Sequence, residues 1–354
     1  MGEPEIRQPE NREPEIRQPE FEETGSCGTR TGTGTGTKEK CRVCVAGVGA
    51  IGGLLAAVLG GLDTVELSVI ARGGRAESIR RDGLRLHSVV YGERTVHPAH
   101  VEADGASLQV QDFVLVCVKN YSLDEIAAQL RPCVDSHTVV VPVMNGVEPG
   151  DRLRALFPDA VVCDSLIYTV TGANPDYSLT QLGDYTYLFI GSKDPDARHV
   201  EGARALHSIL LESGFDSRWS DEIERAIWEK FVLNCAFNIV TARYVCHVAD
   251  IRADEKKKAD ILSLLKEAYA VGTAEGIRMK PDLVEDRYEH MMTTQDPKGT
   301  SSMKRDVEAK RRTELDAFLG AVLRKAEKHG LEVPVTARYY RELSEIITAY
   351  GQTI

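Results

Sequence analysis

Apolar residues recur at near-helical intervals over 221–243, at Ile223, Ile227, Phe231, Cys235 and Ile239, with no proline or glycine between them. The spacing predicts a helix. Val232, Leu233, Ala236, Phe237 and Val240 fill most of the remaining circumference, so the pattern is that of a buried rod. Through it run Lys230, Asn234 and Asn238, at i, i+4 and i+8, as one polar stripe. Burying an amide without a partner costs roughly 1–3 kcal/mol, and an unpaired ammonium costs more. The stripe must therefore face a polar partner, either another helix or a ligand.

Elsewhere the periodicity divides the chain into two unlike halves. Short apolar runs at 43–46, 65–71, 113–118 and 138–143 predict strands, and the first of them leads through a glycine-rich turn into the helical run LLAAVLGGL. More sheet is expected at 161–163 and 185–190, with a helix at 198–213. Beyond Trp219 the pattern is wholly helical, with helices predicted at 221–243, 255–276, 281–293, 302–328 and 335–349. The expected domains are an α/β nucleotide-binding half over 41–219 and a helical substrate and catalytic half over 220–354. Residues 1–40 differ from both. EPEIRQPE occurs at 3–10 and again at 13–20, and TGTGTGT fills 31–37. Such a composition cannot bury enough apolar surface to offset ordering entropy, so a disordered low-complexity tail is expected.

The first turn carries chemistry. Gly47-Val48-Gly49-Ala50-Ile51-Gly52 is a GxGxxG pattern between strand and helix, the context that makes it informative. Gly47 permits the tight turn, Gly49 admits a pyrophosphate and Gly52 lets helix and strand pack closely. The whole loop is the expected cofactor contact, with phosphates at the helix N-terminus. The strand at 65–71 ends in Ala71-Arg72-Gly73-Gly74-Arg75, with no acid to hold a ribose 2′-hydroxyl. Arginine at that tip suits a 2′-phosphate, so Arg72 favours NADP over NAD. Lys119 and Asn145 follow two further strands, at the carboxyl edge where ligands of such sheets lie. Asn145-Gly146 also has the composition of a plain turn.

A second constellation lies at 299–330. Gly299, Thr300, Ser301 and Ser302 mark a helix start, where a hydroxyl and free N–H groups suit a carboxylate. Glu314, further along, has on pattern alone the look of an ordinary surface glutamate. Lys230, however, needs an acid partner.

Bulk properties narrow the partners. The 354 residues carry formal net charge −11, with a sequence pI near 5.4. Such a field disfavours nucleic acid and anionic membrane, though not an anion in a locally basic pocket. No run of about 18 apolar residues or apolar leader segment occurs, so the default expectation is a cytoplasmic protein. The eight cysteines are scattered. Cys41 and Cys44 have CxxC spacing but sit within a strand, where residues three apart point to opposite faces. No metal site is expected.

Together, Gly47-x-Gly49-x-x-Gly52, Ala71-Arg72-Gly73, Lys119, Asn145-Gly146, Trp228-x-Lys230-x-x-x-Asn234-x-x-x-Asn238, Ser301-Ser302-Met303-x-x-Asp306 and Thr313-Glu314-x-Asp316 closely resemble ketopantoate reductase, over about 42–345. The resemblance implies a Rossmann-type NADP-binding domain followed by an all-helical domain of the 6-phosphogluconate-dehydrogenase-like type. It also implies NADPH-dependent reduction of 2-dehydropantoate to pantoate, in the pantothenate and coenzyme A pathway. By the same resemblance Lys230 is the general acid, Glu314 supports the active site, and Asn145, Asn234, Asn238 and Ser302 bind substrate or cofactor. A homodimer is the usual habit of such enzymes. The chain departs from the family pattern at Val248-Ala249, where Asn-Gly is frequent, at Gly299, and over 172–184. Two other readings stand beside it: an NADP-dependent reductase of another 2-oxo acid, and a non-catalytic NADP-binding regulator. Whether Glu314 orients Lys230 or meets the substrate is open at this level.

Overall fold

Strand β1 (Cys41–Ala46) reads as a continuous apolar run from Val43 onward because its two faces enter two different cores. Cys41, Val43 and Val45 join the core built with α1 (Ala50–Leu59), whereas Cys44 and Ala46 belong to the core on the opposite side. The CxxC cysteines thus lie on opposite faces of one strand. The computed structural model describes residues 39–354. Nearly all of the 1–40 tail, with its duplicated octapeptide and Cys27, lies outside the described residues.

The chain continues through β2 (Val65–Ile70), α2 (Gly73–Asp82), a hairpin of β3 (Leu84–Ser88) and β4 (Gly92–Val96), β5 (His100–Glu102) and β6 (Phe113–Val116). Next come α3 (Leu123–Leu130), β7 (Val139–Pro142), α4 (Pro149–Leu156) and β8 (Val161–Val162). Six of these strands form a parallel sheet in the order β5-β2-β1-β6-β7-β8. Its strand order reverses between β1 and β6, which opens a crevice at their carboxyl ends.

A second sheet was not legible in the periodicity. β9 (Asp164–Ala173) and β10 (Leu179–Gly191) form an antiparallel hairpin, followed by α5 (Ala197–Glu212) and β11 (Asp216–Trp219). β10 is 13 residues long because its first part pairs with β3 and its last with β11, with an irregularity between Leu182 and Thr186. Only its apolar end, 185–190, carried a strand signal. The start of β10 is held between the adjacent β9 and β3, which is far away in sequence.

From Ile223 every regular element is helical: α6 (Ile223–Tyr244), α7 (Val248–Arg252), α8 (Glu255–Ala274), α9 (Leu283–Thr293), α10 (Ser302–Glu308), α11 (Ala321–His329) and α12 (Pro334–Ala349). α6 packs against α8, α10 and α12, and also reaches β9. It is the buried rod its pattern predicts. Among the described residues no helix is long and apolar enough to cross a membrane.

The helix expected at 302–328 is broken. α10 stops at Glu308, Lys310 takes a left-handed conformation with φ 51°, and a single π-helical turn at Asp316–Gly320 leads into α11. The reason is visible in two carboxylates. On an unbroken helix Asp306 and Glu314 would stand about 12 Å apart along the axis. The break brings both to one ammonium, that of Lys119, at 3.0 and 3.3 Å.

Candidate active site

The glycine turn is shaped by close approach. Gly47 has φ 94°, and a Cβ on Gly52 would lie 2.1 Å from the Gly47 carbonyl oxygen and 2.8 Å from the Cys117 Cβ. Helix α1 can sit on β1 and β6 only without that atom. Gly49 is the opposite case: a Cβ there would meet nothing within 4 Å. Gly49 is exposed and forms the N-cap of α1, and no side chain caps the free N–H groups of the first turn. An open space facing uncapped main-chain donors fits a dinucleotide pyrophosphate. Val48 is buried in the core, which leaves only its main chain to face the loop, while Ala50 and Ile51 open the helix.

Arg72 stands where the sequence placed it, at the tip of β2 as the N-cap of α2. Its guanidinium is exposed and donates to Glu125 Oε1 at 2.6 Å. An exposed pair of this kind is weak, so the guanidinium is readily released to a stronger anion.

The polar stripe of α6 divides by depth. At its inner end Asn238 is buried; its Nδ2 donates to Asn234 Oδ1 at 3.2 Å, and its Oδ1 accepts from Ser302 Oγ at 3.3 Å and Met303 N at 3.4 Å. Ser301 caps α10 through the Lys304 N–H, and its hydroxyl meets Thr241 Oγ1 at 2.7 Å. That end is a helix–helix network, and seven-residue α10 adds little dipole to it. The outer end is different. Lys230 and Asn234 line a narrow crevice with Met144, Asn145, Gly146 and Ser165, between the end of β7, the start of β9 and α6.

Lys230 Nζ donates to the Ile167 carbonyl oxygen at 2.5 Å and lies 5.1 Å from the Tyr168 ring centroid. Burial pulls its pKa down to about 8, with the Glu314 charge opposing only in part. Glu314 is not bonded to it. The Glu314 carboxylate, itself buried, accepts from Lys119 Nζ at 3.3 Å, Asn120 N at 3.1 Å and Asn120 Nδ2 at 2.9 Å. The expected acid partner of Lys230 is therefore the partner of Lys119, and it reaches Lys230 only through its field.

Two lysines thus share one region with opposite electrostatics. Burial works against the Lys119 ammonium, but Glu314 and Asp306 outweigh it and hold its pKa above the ordinary lysine value. Lys119 stays charged, while Lys230 can lose and regain a proton near neutral pH. Such a divergence separates an electrostatic anchor from a proton-transfer group. Asp306 also accepts from Arg311 Nε and Nη2 at 3.0 and 2.9 Å. Asn120 in turn donates to the Asn145 carbonyl at 2.9 Å, which ties the end of β6 to the end of β7. Sequence reasoning assigns no role to Asn120, Asp306 or the Ile167 carbonyl. The available signals were the polar Lys-Asn pair closing an apolar strand and the short spacing from Asp306 to Glu314.

Two family models match this chain. The family model described as "Ketopantoate reductase PanE/ApbA" matches residues 43–195, and "Ketopantoate reductase PanE/ApbA C terminal" matches 222–346. A 2-dehydropantoate 2-reductase from Mesorhizobium japonicum is 30% identical over 308 residues, covering 79% of this chain and 90% of the relative. The crystal structure of a PanE/ApbA family ketopantoate reductase from Ralstonia eutropha JMP134 aligns with TM-score 0.79 at 26% identity, over 88% of this chain and 100% of that one. A ternary complex of D-mandelate dehydrogenase with NADH and anilino(oxo)acetate shares the fold, with TM-score 0.79 at 19% identity and the same coverage of 88% and 100%.

Proposed function

This chain belongs to the ketopantoate reductase family, and from that footing we propose that it reduces 2-dehydropantoate to pantoate with NADPH, Lys230 acting as general acid. The observation that carries the reading is the Lys230 amine, tuned to about 8, beside Asn145 and Asn234 in the crevice at the carboxyl edge of the sheet. The glycine loop and the start of α1 would hold the pyrophosphate, and Arg72 the 2′-phosphate. Reduced nicotinamide, when bound, supplies the hydride. Lys230, as the ammonium, stabilises the charge developing on the carbonyl oxygen and then protonates it. The Ile167 carbonyl and the Tyr168 ring hold the ammonium in place. Asn145 and Asn234, which line the crevice with Lys230, would meet the 2-oxo acid, with the Ser302 hydroxyl behind them on Asn238, and Glu314 positions Lys119 and Asn120.

A second reading, reduction of a different 2-oxo acid, is favoured by one contact. Two of the departures from the family pattern touch each other: Val248 N donates to the Gly299 carbonyl at 3.3 Å, and Val248 is fully buried. An apolar residue against a glycine supplies no side-chain hydrogen bond at a position where the family pattern frequently has asparagine. Following NADPH oxidation spectrophotometrically with ketopantoate and a panel of 2-oxo acids tests both readings. The highest kcat/KM is expected for ketopantoate. A clear preference for another acid would move the substrate, and no turnover with any would leave a nucleotide-binding regulator.

Arg72→Ala is expected to weaken NADPH binding about tenfold or more, as loss of a charge-assisted phosphate contact does, with NADH nearly unaffected. Equal loss for both would remove the 2′-phosphate from Arg72.

A further inference from the structure

The hairpin between β9 and β10 turns through Asn174-Pro175-Asp176-Tyr177, with Asn174 N donating to the Ser178 carbonyl at 2.8 Å and Tyr177 N to the Asn174 carbonyl at 3.0 Å. The last position of such a turn is left-handed and normally goes to glycine. Here Tyr177 occupies it, with φ 66°. Its neighbours hold the turn in that shape. Asp176 Oδ1 accepts from Ser178 N and Oγ at 3.1 and 2.7 Å, and Arg85 Nη2 donates to the Asp176 carbonyl at 2.9 Å. A tyrosine in this conformation is strained relative to glycine, and 41% exposure leaves little burial to offset the strain.

What the side chain touches suggests why it is there. The phenol leaves its own hairpin and lies on the first turn of α2. A Cβ on Gly74 would come within 2.4 Å of the Tyr177 hydroxyl. The Arg75 guanidinium stands 5.2 Å from the ring centroid and donates to the Tyr177 carbonyl at 3.3 Å. That distance is within cation–π range. Tyr177 therefore pins the segment that also carries Arg72, at a helix start with no capping side chain and no acid in its first turn. Beside it a Cβ on Gly73 would meet nothing within 4 Å, so the main chain there is open to approach.

We propose that Tyr177 is a positioning residue for recognition of the nucleotide 2′-phosphate: its ring and carbonyl hold the Arg75 guanidinium at the start of α2, three residues from Arg72, so that a second guanidinium can serve that phosphate. This rests on the NADP reading given above. Both arginines sit within one turn of the α2 N-terminus, where the helix adds its own attraction for an anion. The strained tyrosine is retained because glycine would free the turn and lose the grip on Arg75.

Binding of NADPH and NADH to wild type, Tyr177→Gly, Tyr177→Asn and Tyr177→Phe, together with thermal melting of each, tests the proposal. Glycine and asparagine both suit a left-handed turn, so these variants are expected to melt at or above the wild-type temperature. Their Kd for NADPH is expected to rise about fivefold, the scale of one lost cation–π contact near the surface, with NADH changed by less than about twofold. All three variants keep the main-chain carbonyl, and Tyr177→Phe keeps the ring as well, so it should bind both like wild type. An unchanged NADPH-to-NADH ratio in both Tyr177→Gly and Tyr177→Asn, or equal weakening of the two nucleotides, overturns the role of Tyr177 and leaves NADP preference intact. If the wild-type protein itself binds NADH as tightly as NADPH, the NADP reading fails and the proposal fails with it.

Discussion

Replacing Lys230 with methionine is expected to lower kcat by about 10²–10⁴-fold, the usual contribution of a positioned acid, while NADPH binds almost as in wild type. The glycine loop and Arg72 lie on other elements, so loss of the amine should leave the nucleotide site intact. Retention of near wild-type kcat would sink the assignment. The pH dependence follows from the lowered pKa. Reduction needs the ammonium, so its kcat/KM should be level on the acid side and fall as pH rises through about 8. Oxidation in the reverse direction needs the neutral amine and should rise through the same pH.

The same substitution should make the protein slightly more stable. The unfolded chain keeps the Lys230 proton to the ordinary value of 10.5, whereas the folded chain releases it near 8. Between those values the unfolded state binds more protons, so stability climbs with pH there, and the full penalty applies below the window. Methionine removes the buried charge but keeps the stem. Lys230 retains some solvent access through the crevice, which moderates the gain to about 2 °C in Tm, largest below pH 8. A lowered Tm would mean that the bond to Ile167 outweighs burial of the charge.

The second large effect separates two glycines three residues apart. Gly52→Ala places a methyl against main chain, so α1 must move off β1 and β6. The expected cost is about 3 kcal/mol, together with loss of nucleotide binding. Gly49→Ala meets no protein atom, and its melting temperature should match wild type. Its methyl instead enters the space facing the uncapped end of α1, and nucleotide Kd should rise about a hundredfold. Denaturant unfolding and nucleotide titration of the pair check this. Tight nucleotide binding by Gly49→Ala would place the pyrophosphate elsewhere.

Much of the architecture was legible because it depends on local repetition. A parallel strand buried on both faces reads as a continuous apolar run, and β1, β6 and β7 announced themselves in that way. A helix packed on several sides reads as apolar all round, as α6 does. The glycine turn was legible for a related reason, since its requirements are steric and fall on neighbouring residues. β3, β4 and most of β10 were not, because at most half of their residues are apolar and it is the distant β3–β10 pairing that joins the two hairpins into one sheet.

The site divides along the same line. The order of residues alone determined that a glycine turn joins β1 to α1 at Gly47–Gly52, that an arginine closes β2, and that a lysine and two asparagines share one face of α6. Which acid answers which lysine was decided by tertiary structure. Lys119 and Glu314 are separated by 195 residues, and they meet only because the chain breaks after α10. That meeting takes Glu314 from Lys230 and leaves Lys230 a main-chain carbonyl and an aromatic ring. No periodicity could report it, because the pKa of a buried amine is set by what surrounds it in space.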